Sequence, residues 1–282
     1  MRKPFYKSSL IWKDSVVFAF IILAGIGSVM SILAISLDDY VSRWWERLLL
    51  IIVSYTVITV IVLFFKHLRT KTEITLNICG IKVIIKEGDI FEVSGWKLIP
   101  FNEYFDTIVD DIIIAKNSLN GKFILDYLDE DGVGELRQAI EADDKSTLLK
   151  QYDENSSKWK YPLGRIKLFR EYMLLALTRF NDQNEACTTR AEYEHALRIM
   201  WREISRTYAN KPIYLPLIGT GITRFADMAQ KSNQELLKCI LCTLRTSNET
   251  INQPITILLT SDTVSTINLY ELKGVNKYGL PH

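Results

Sequence analysis

Three short loop segments carry residue types suited to holding an anionic ligand. Gly219-Thr220-Gly221-Ile222-Thr223-Arg224-Phe225 follows the apolar run Pro212–Ile218 and precedes a helical pattern. Glycines let backbone amides approach a phosphate closely, and free N–H groups near a helix start attract negative charge. Arg224 adds a cation able to pair with a diphosphate. A lone Gly-x-Gly is equally an ordinary turn whose glycines only meet backbone angles, but its position after a buried-strand pattern favours the ligand. Asn117-Ser118-Leu119-Asn120-Gly121-Lys122 and Ser261-Asp262 occupy corresponding places, each after an apolar run. Gly88-Asp89-Ile90 ends another strand pattern. The Asp89 carboxylate could accept from an amino group such as that of adenine; on the residues alone, a solvated turn aspartate is the simpler reading.

Ligands of open α/β sheets bind outside the carboxyl ends of the strands, so the surrounding elements decide whether these segments meet. Ile74, Leu76 and Ile78 alternate with polar residues, as do Ile81, Val83 and Ile85, which predicts two strands around Cys79-Gly80. The nearly continuous apolar run Thr107–Ala115 predicts a strand buried on both faces. Glu130–Glu141 reads as a short helix, Asp143–Lys160 as a polar surface excursion and Tyr172–Phe180 as a strand. Ala191–Tyr208 is an amphipathic helix with Tyr193, Leu197, Met200, Trp201 and Ile204 on one face. Pro212–Ile218 reads as a strand, Asn233–Arg245 as a helix, Ile255–Thr260 as a strand and Thr266–Leu272 as a last strand. The alternation predicts the α/β class, a mixed sheet flanked by helices.

Ahead of this pattern lie two runs of another kind. Ser15–Leu37 holds 23 residues without a charge, and Leu48–Phe65 holds 18. At 1.5 Å per residue the first reaches about 34 Å, enough to cross a hydrocarbon core of about 30 Å. Trp44 and Trp45 precede the second, where interfacial aromatics belong. A cleaved signal peptide fits the first run poorly, because it is too long, has no A-x-A site and is followed by another apolar run. The expected organisation is a transmembrane hairpin over residues 1–71, with spans at 15–37 and 48–65, and a cytoplasmic ligand-binding domain over 72–282. Arg2, Lys3, Lys7 and Lys13 before the hairpin, and Lys66, Arg69 and Lys71 after it, place both termini on the cytoplasmic side of an inner membrane by the positive-inside rule. In the connection, Asp38, Asp39 and Glu46 balance Arg43 and Arg47. Neither charge-free run offers a charged ion path in one copy. Gly25, Gly27, Ser28 and Ser31 form a small-residue strip suited to close helix packing.

The formal net charge of +1 gives no reason to expect nucleic acid as a partner. Four cysteines do not make a disulfide framework. Cys239 and Cys242 form a CxxC inside a helical pattern, and core packing is a better reading than a redox pair or half a zinc site. Neither a metal nor a resident cofactor is expected.

Taken in order, Gly88-Asp89-Ile90, Asn117-Ser118-Leu119-x-Gly121 and Pro216-Leu217-Ile218-Gly219-Thr220-Gly221 resemble the motif sequence of macro domains, which bind ADP-ribose and related nucleotides. The resemblance implies that Asp89 meets the adenine, that Asn117, Ser118, Leu119, Gly121 and Lys122 line the ribose and phosphates, and that Gly219 to Phe225 wrap the diphosphate, with Phe225 near the distal ribose. Hydrolytic macro domains carry a glycine-rich stretch after the first loop. Here Gly121 is followed by Lys122-Phe123-Ile124, which implies a binder, not an enzyme. Two membrane spans joined to such a domain are similar to the membrane-anchored macro effectors of Thoeris anti-phage systems, as is the segment Pro100–Thr107. That likeness implies an ADP-ribose-derived signal made by a partner TIR-domain enzyme, homo-oligomerisation, and disruption of the lipid bilayer leading to abortive cell death. A tethered ADP-ribosyl hydrolase and a non-catalytic adaptor are the alternatives.

Overall fold

The computed structural model describes residues 9–33, 35–37, 40–69, 73–142, 151–153, 158–180, 186–220, 224–225 and 232–273. Of the residues behind the expected topology, Arg2, Lys3, Lys7, Asp38, Asp39 and Lys71 lie outside these.

Two long helices come first, α1 (Ser9–Ile32) and α2 (Trp44–Arg69). Each contains a 23-residue stretch, Leu10–Ile32 and Trp44–Lys66, long and apolar enough to cross a membrane. Phe18, Phe20, Ile21, Ile52, Val60 and Phe64 all expose half or more of their surface. A soluble protein rarely presents that much contiguous apolar area. Three hydroxyls within the helices bond to their own backbone: Ser28 to the Ala24 carbonyl at 2.9 Å, Thr56 to Ile52 and Thr59 to Tyr55 at 2.8 Å. That pairing suits an environment without water. The Tyr55 hydroxyl donates to the Val16 carbonyl at 3.0 Å and ties the two helices together.

The first helix begins and ends earlier than its charge-free run. Lys13 and Asp14 lie inside it, because a charge does not stop a helix, and it ends where the Ile35 N–H bonds to the Met30 carbonyl in a wider turn. The apolar stretches therefore include Lys13, Asp14, Glu46, Arg47 and Lys66 near their ends. A Cβ added at Gly25 or Gly27 would meet nothing within 4 Å. The small-residue strip is thus not a packing surface within the chain.

The rest is an α/β domain. Its strands are β1 (Glu73–Ile78), β2 (Ile81–Glu87), β3 (Trp96–Asn102), β4 (Gln151–Asp153), β5 (Lys158–Lys160), β6 (Ile166–Phe169), β7 (Tyr172–Phe180), β8 (Ala186–Thr188), β9 (Ile213–Pro216), β10 (Arg224–Phe225) and β11 (Ile255–Leu259). Its helices are α3 (Leu119–Asp126), α4 (Glu130–Glu141), α5 (Arg190–Thr207), α6 (Asn233–Ser247) and α7 (Ser261–Thr266). The main sheet has nine strands in the order β1-β2-β11-β9-β3-β7-β8-β10, with β6 also on β7. Strands β2, β11, β9, β3 and β7 run parallel, and β1, β6 and β8 pair antiparallel. Strands β4 and β5 pair apart from this sheet, in the stretch expected to be a surface excursion.

Strand alternation builds the layers. Met173, Leu175 and Leu177 of β7 point into one cluster, shared with Tyr193, Met200 and Trp201 of α5 and Leu237, Ile240 and Leu241 of α6. Tyr172, Leu174 and Ala176 point the other way, against Phe101, Phe123 and Leu136. Each fully buried Leu or Ile in these layers contributes about 1.5–3 kcal/mol. Trp201 Nε1 donates to Thr243 Oγ1 at 3.1 Å and fixes α5 against α6. Cys239 packs against the same core.

Two expected strands are absent. Thr107–Ala115 is an irregular loop: Asp110 accepts from the Ile112 and Ile113 N–H groups at 2.9 and 2.7 Å, and Asp111 accepts from Lys116 N at 2.8 Å. Local aspartate bonds of this kind take backbone donors away from a sheet. The parallel strand is β3 instead, which includes Pro100. β9 pairs only with Trp96 and Lys97, so the far half of β3 has one open edge where a proline is tolerated. Thr266–Leu272 is likewise not a strand. It is the last residue of α7 followed by a 3-10 turn, started by Asn268, whose side chain accepts from Tyr270 N.

Candidate ligand-binding site

Three adjacent parallel strands end on the same side of the sheet. β2 delivers Gly88-Asp89, β11 delivers Thr260-Ser261-Asp262 and β9 delivers Leu217-Ile218-Gly219-Thr220. At the usual strand spacing these ends span about 10 Å. Gly88 N donates to the Leu259 carbonyl at 3.1 Å, which extends the β2–β11 ladder into the site.

Asp89 is exposed and caps a 3-10 turn over Ile90–Glu92; its Oδ1 accepts from Phe91 N at 2.9 Å. Behind it, Phe91 stacks on Tyr127 with ring centroids 3.9 Å apart and an interplanar angle of 11°. Desolvation raises the Tyr127 phenol above its ordinary value, and the negative charges of Asp89, Asp126 and Glu92 add to the rise. This aromatic pair carries no local signal in the sequence, because its members are brought together only by packing.

Asn117–Lys122 is the start of α3, where a loop was expected. Ser118 is the N-cap and its Oγ accepts from Gly121 N at 3.1 Å. Asn117 and Lys122 are exposed, whereas Leu119 packs into the cluster that holds Ile90, Phe91 and Phe123. The Asp89 turn and the α3 start therefore share one apolar base. Gly121 has a structural reason of its own. A Cβ there would overlap the carbonyl oxygens of Ala115 and Lys116, so the helix can reach that turn only without a side chain.

Gly219 holds a positive φ of +89°. Its turn is anchored by Tyr193, whose hydroxyl donates to the Ile218 carbonyl at 2.8 Å, and by Thr220 Oγ1, which donates to the Leu217 carbonyl at 3.1 Å. Burial pushes the Tyr193 phenol far up, so it remains a donor at any physiological pH. Gly221, Ile222 and Thr223 lie outside the described residues. Arg224 and Phe225 pair in parallel with Cys187 and Thr188 as a two-residue strand, β10, where only loop was expected. Asp262 is exposed in the first turn of α7, which Thr260 caps.

At the end of β3, Asn102 Nδ2 donates to Asp106 Oδ2 at 3.1 Å, and Asn102 Oδ1 accepts from the N–H groups of Tyr104 and Asp106. Asn102, Glu103 and Asp106 are all buried. The turn Asn102–Asp106 is thus closed by its own buried polar groups at the carboxyl end of a central strand.

Glycine turns, helix starts and an exposed acceptor thus gather at the carboxyl edge of the parallel strands, where open α/β sheets bind their ligands. The family model described as "Thoeris protein ThsA, Macro domain" matches residues 83–260. The Thoeris protein ThsA of Bacillus amyloliquefaciens (strain Y2) is 38% identical over 253 residues, covering 87% of this chain and 84% of that protein. Among solved structures, a macrodomain of Oceanobacillus iheyensis with ADP aligns at 15% identity and a TM-score of 0.44, over 71% of this chain and 94% of its own. A point mutant of that macrodomain aligns at 14% identity and 0.44. The chain belongs to the Thoeris ThsA macro-domain family.

Proposed function

We propose that this protein is a membrane-anchored anti-phage effector. Its macro domain senses an ADP-ribose derivative made by a partner TIR-domain enzyme, the protein then oligomerises, and the assembled hairpins disrupt the bacterial inner membrane. The observation that carries the reading is the joint presentation of Gly88-Asp89, Gly219-Thr220 and Thr260–Asp262 at one sheet edge, in a chain whose first two helices face outward with apolar side chains. Family membership supports the defence role. The start of α3 supports binding over hydrolysis: after Gly121, the buried Phe123 and Ile124 continue a helix into the core and leave no glycine-rich loop. The open faces of Gly25 and Gly27 leave α1 a surface for a second copy.

Isothermal titration of the full chain in detergent with ADP-ribose tests the site, and light scattering on the same samples tests assembly. Cells producing the signal should lose membrane potential, and a chain lacking residues 1–66 should spare them. Equal toxicity of the truncated chain would establish that the domain acts without its hairpin and would defeat the proposal. A reporter fused after His282 should be active in the cytoplasm; periplasmic activity reverses the proposed orientation.

A further inference from the structure

The first turns of α1 do not stand clear of the domain. Asp14 Oδ2 accepts a hydrogen bond of 2.7 Å from the Tyr270 hydroxyl, across 256 positions of sequence. Tyr270 is 1% exposed. Its phenol is driven well above the ordinary value by burial and further by the bond to Asp14, so it stays a donor. The same stretch of α1 buries Ile11, Ser15 and Ala19, a stripe at i, i+4 spacing.

On the domain side, Tyr270 belongs to the 3-10 turn Leu269–Leu272, whose apolar residues are part of the main core. That turn is held by the first two residues of α6. Asn233 Nδ2 donates to Thr266 Oγ1 at 2.8 Å, and Gln234 Oε1 accepts from Asn268 N at 2.7 Å. In sequence, α6 is the next helix after the Gly219 turn, and α7 starts on the residues that follow β11. Two of the three chain segments leaving the candidate site therefore end on the piece of backbone that grips α1.

The grip is imperfect. Among the described residues, Ser15 Oγ and Asn268 Nδ2 are buried without a hydrogen-bond partner. A buried polar group without a partner disfavours the state that buries it. On the other hairpin helix, Lys66 lies within electrostatic reach of Asp14.

We propose that Asp14 and Tyr270 form a releasable latch between the hairpin and the macro domain, opened when a ligand at the carboxyl edge shifts the starts of α6 and α7. The proposal rests on the sensing function argued above. A ligand biases only states for which its affinity differs, and the latch supplies two such states. When closed, the Tyr270 hydroxyl holds Asp14 and the orphaned atoms remain buried. When open, Asn268 regains water, and Asp14 turns to Lys66 within the hairpin.

Tyr270→Phe removes one hydroxyl and keeps the ring in the core. Hydrogen exchange on the full chain in detergent should then rise about ten-fold or more across Ser9–Ala19 and Asn268–Lys273, with β9 and β11 still protected. In vesicles of phosphatidylethanolamine and phosphatidylglycerol, with ADP-ribose as the probe, the variant should release trapped dye at roughly ten-fold lower probe concentration. Asp14→Ala should act alike, and the double variant should add little, since both substitutions break one contact. Unchanged exchange at the start of α1 in Tyr270→Phe overturns the latch, as do additive effects of the two substitutions. If the unaltered protein does not respond to ADP-ribose, the sensing reading fails, and the exchange result alone decides the latch.

Discussion

Asp89 has two separable roles, and one substitution divides them. Its Oδ1 caps the 3-10 turn by accepting from Phe91 N at 2.9 Å. We propose that its other oxygen accepts from the ligand's adenine amino group. Asparagine caps as well as aspartate, so Asp89→Asn should leave the turn and the melting temperature in place. With the amide oxygen on Phe91 N, the remaining atom becomes an N–H donor and faces another donor. The lost charge-assisted bond costs about 1.5–3 kcal/mol, one to two decades in affinity. Asp89→Ala should lose the same affinity and also about 0.5–2 kcal/mol of stability, toward the low end because the turn has a single round. Calorimetric titration of ADP-ribose into the full chain, together with denaturant unfolding, measures both quantities. If Asp89→Asn binds ADP-ribose as tightly as the unaltered protein, Asp89 is a cap and nothing more, and its assignment to the site is wrong.

Two further substitutions or conditions probe the frame around the site. Gly121→Ala places a Cβ against the Ala115 and Lys116 carbonyls and should destabilise the protein by about 1–3 kcal/mol, read as a lowered unfolding midpoint; an unchanged midpoint would refute the need for glycine at the α3 start. The Asp110 carboxyl is held below its ordinary value by the Ile113 and Ile112 N–H groups, and Asp111 by the Lys116 N–H and ammonium. Depressed carboxylates contribute stability that is full above their unfolded value and lost as pH falls through the folded one. The protection of the Ile112, Ile113 and Lys116 amides, taken against their intrinsic exchange rates at each pH, should therefore fall as the solution is acidified below the usual carboxylate range, while that of β11 holds.

Much of the fold was legible from local pattern. Ile74–Ile78 and Ile81–Ile85 alternate, and they form the antiparallel pair β1–β2. Glu130–Glu141 is a helix over the predicted residues, and Tyr172–Phe180 is a strand over the predicted ones. Gly219 was legible as a special turn, and its positive φ agrees. The candidate site was less legible. Asn117–Lys122 read as a loop because its helix is short and its cap, Ser118, looks like any turn serine. Thr107–Ala115 read as a strand because its apolar residues are consecutive, whereas Asp110 and Asp111 spend its backbone donors locally.

The division follows from the range of the forces involved. By itself the sequence determined two helices long and apolar enough to span a membrane, because twenty or so uncharged residues have few other stable arrangements. It also determined β1, β2, α4, β7, α5, β9, α6 and β11, whose apolar patterns lie within each segment, because periodicity is a property of neighbours in the chain. Only the tertiary structure decided that β3 and not Thr107–Ala115 enters the sheet, since a strand exists through its partners and β7 and β9 lie far along the chain. Only the tertiary structure stacked Phe91 on Tyr127, gave Gly121 its carbonyl neighbours and bonded Tyr270 to Asp14. Those contacts depend on which surfaces meet once the core has closed, and no local spacing encodes that.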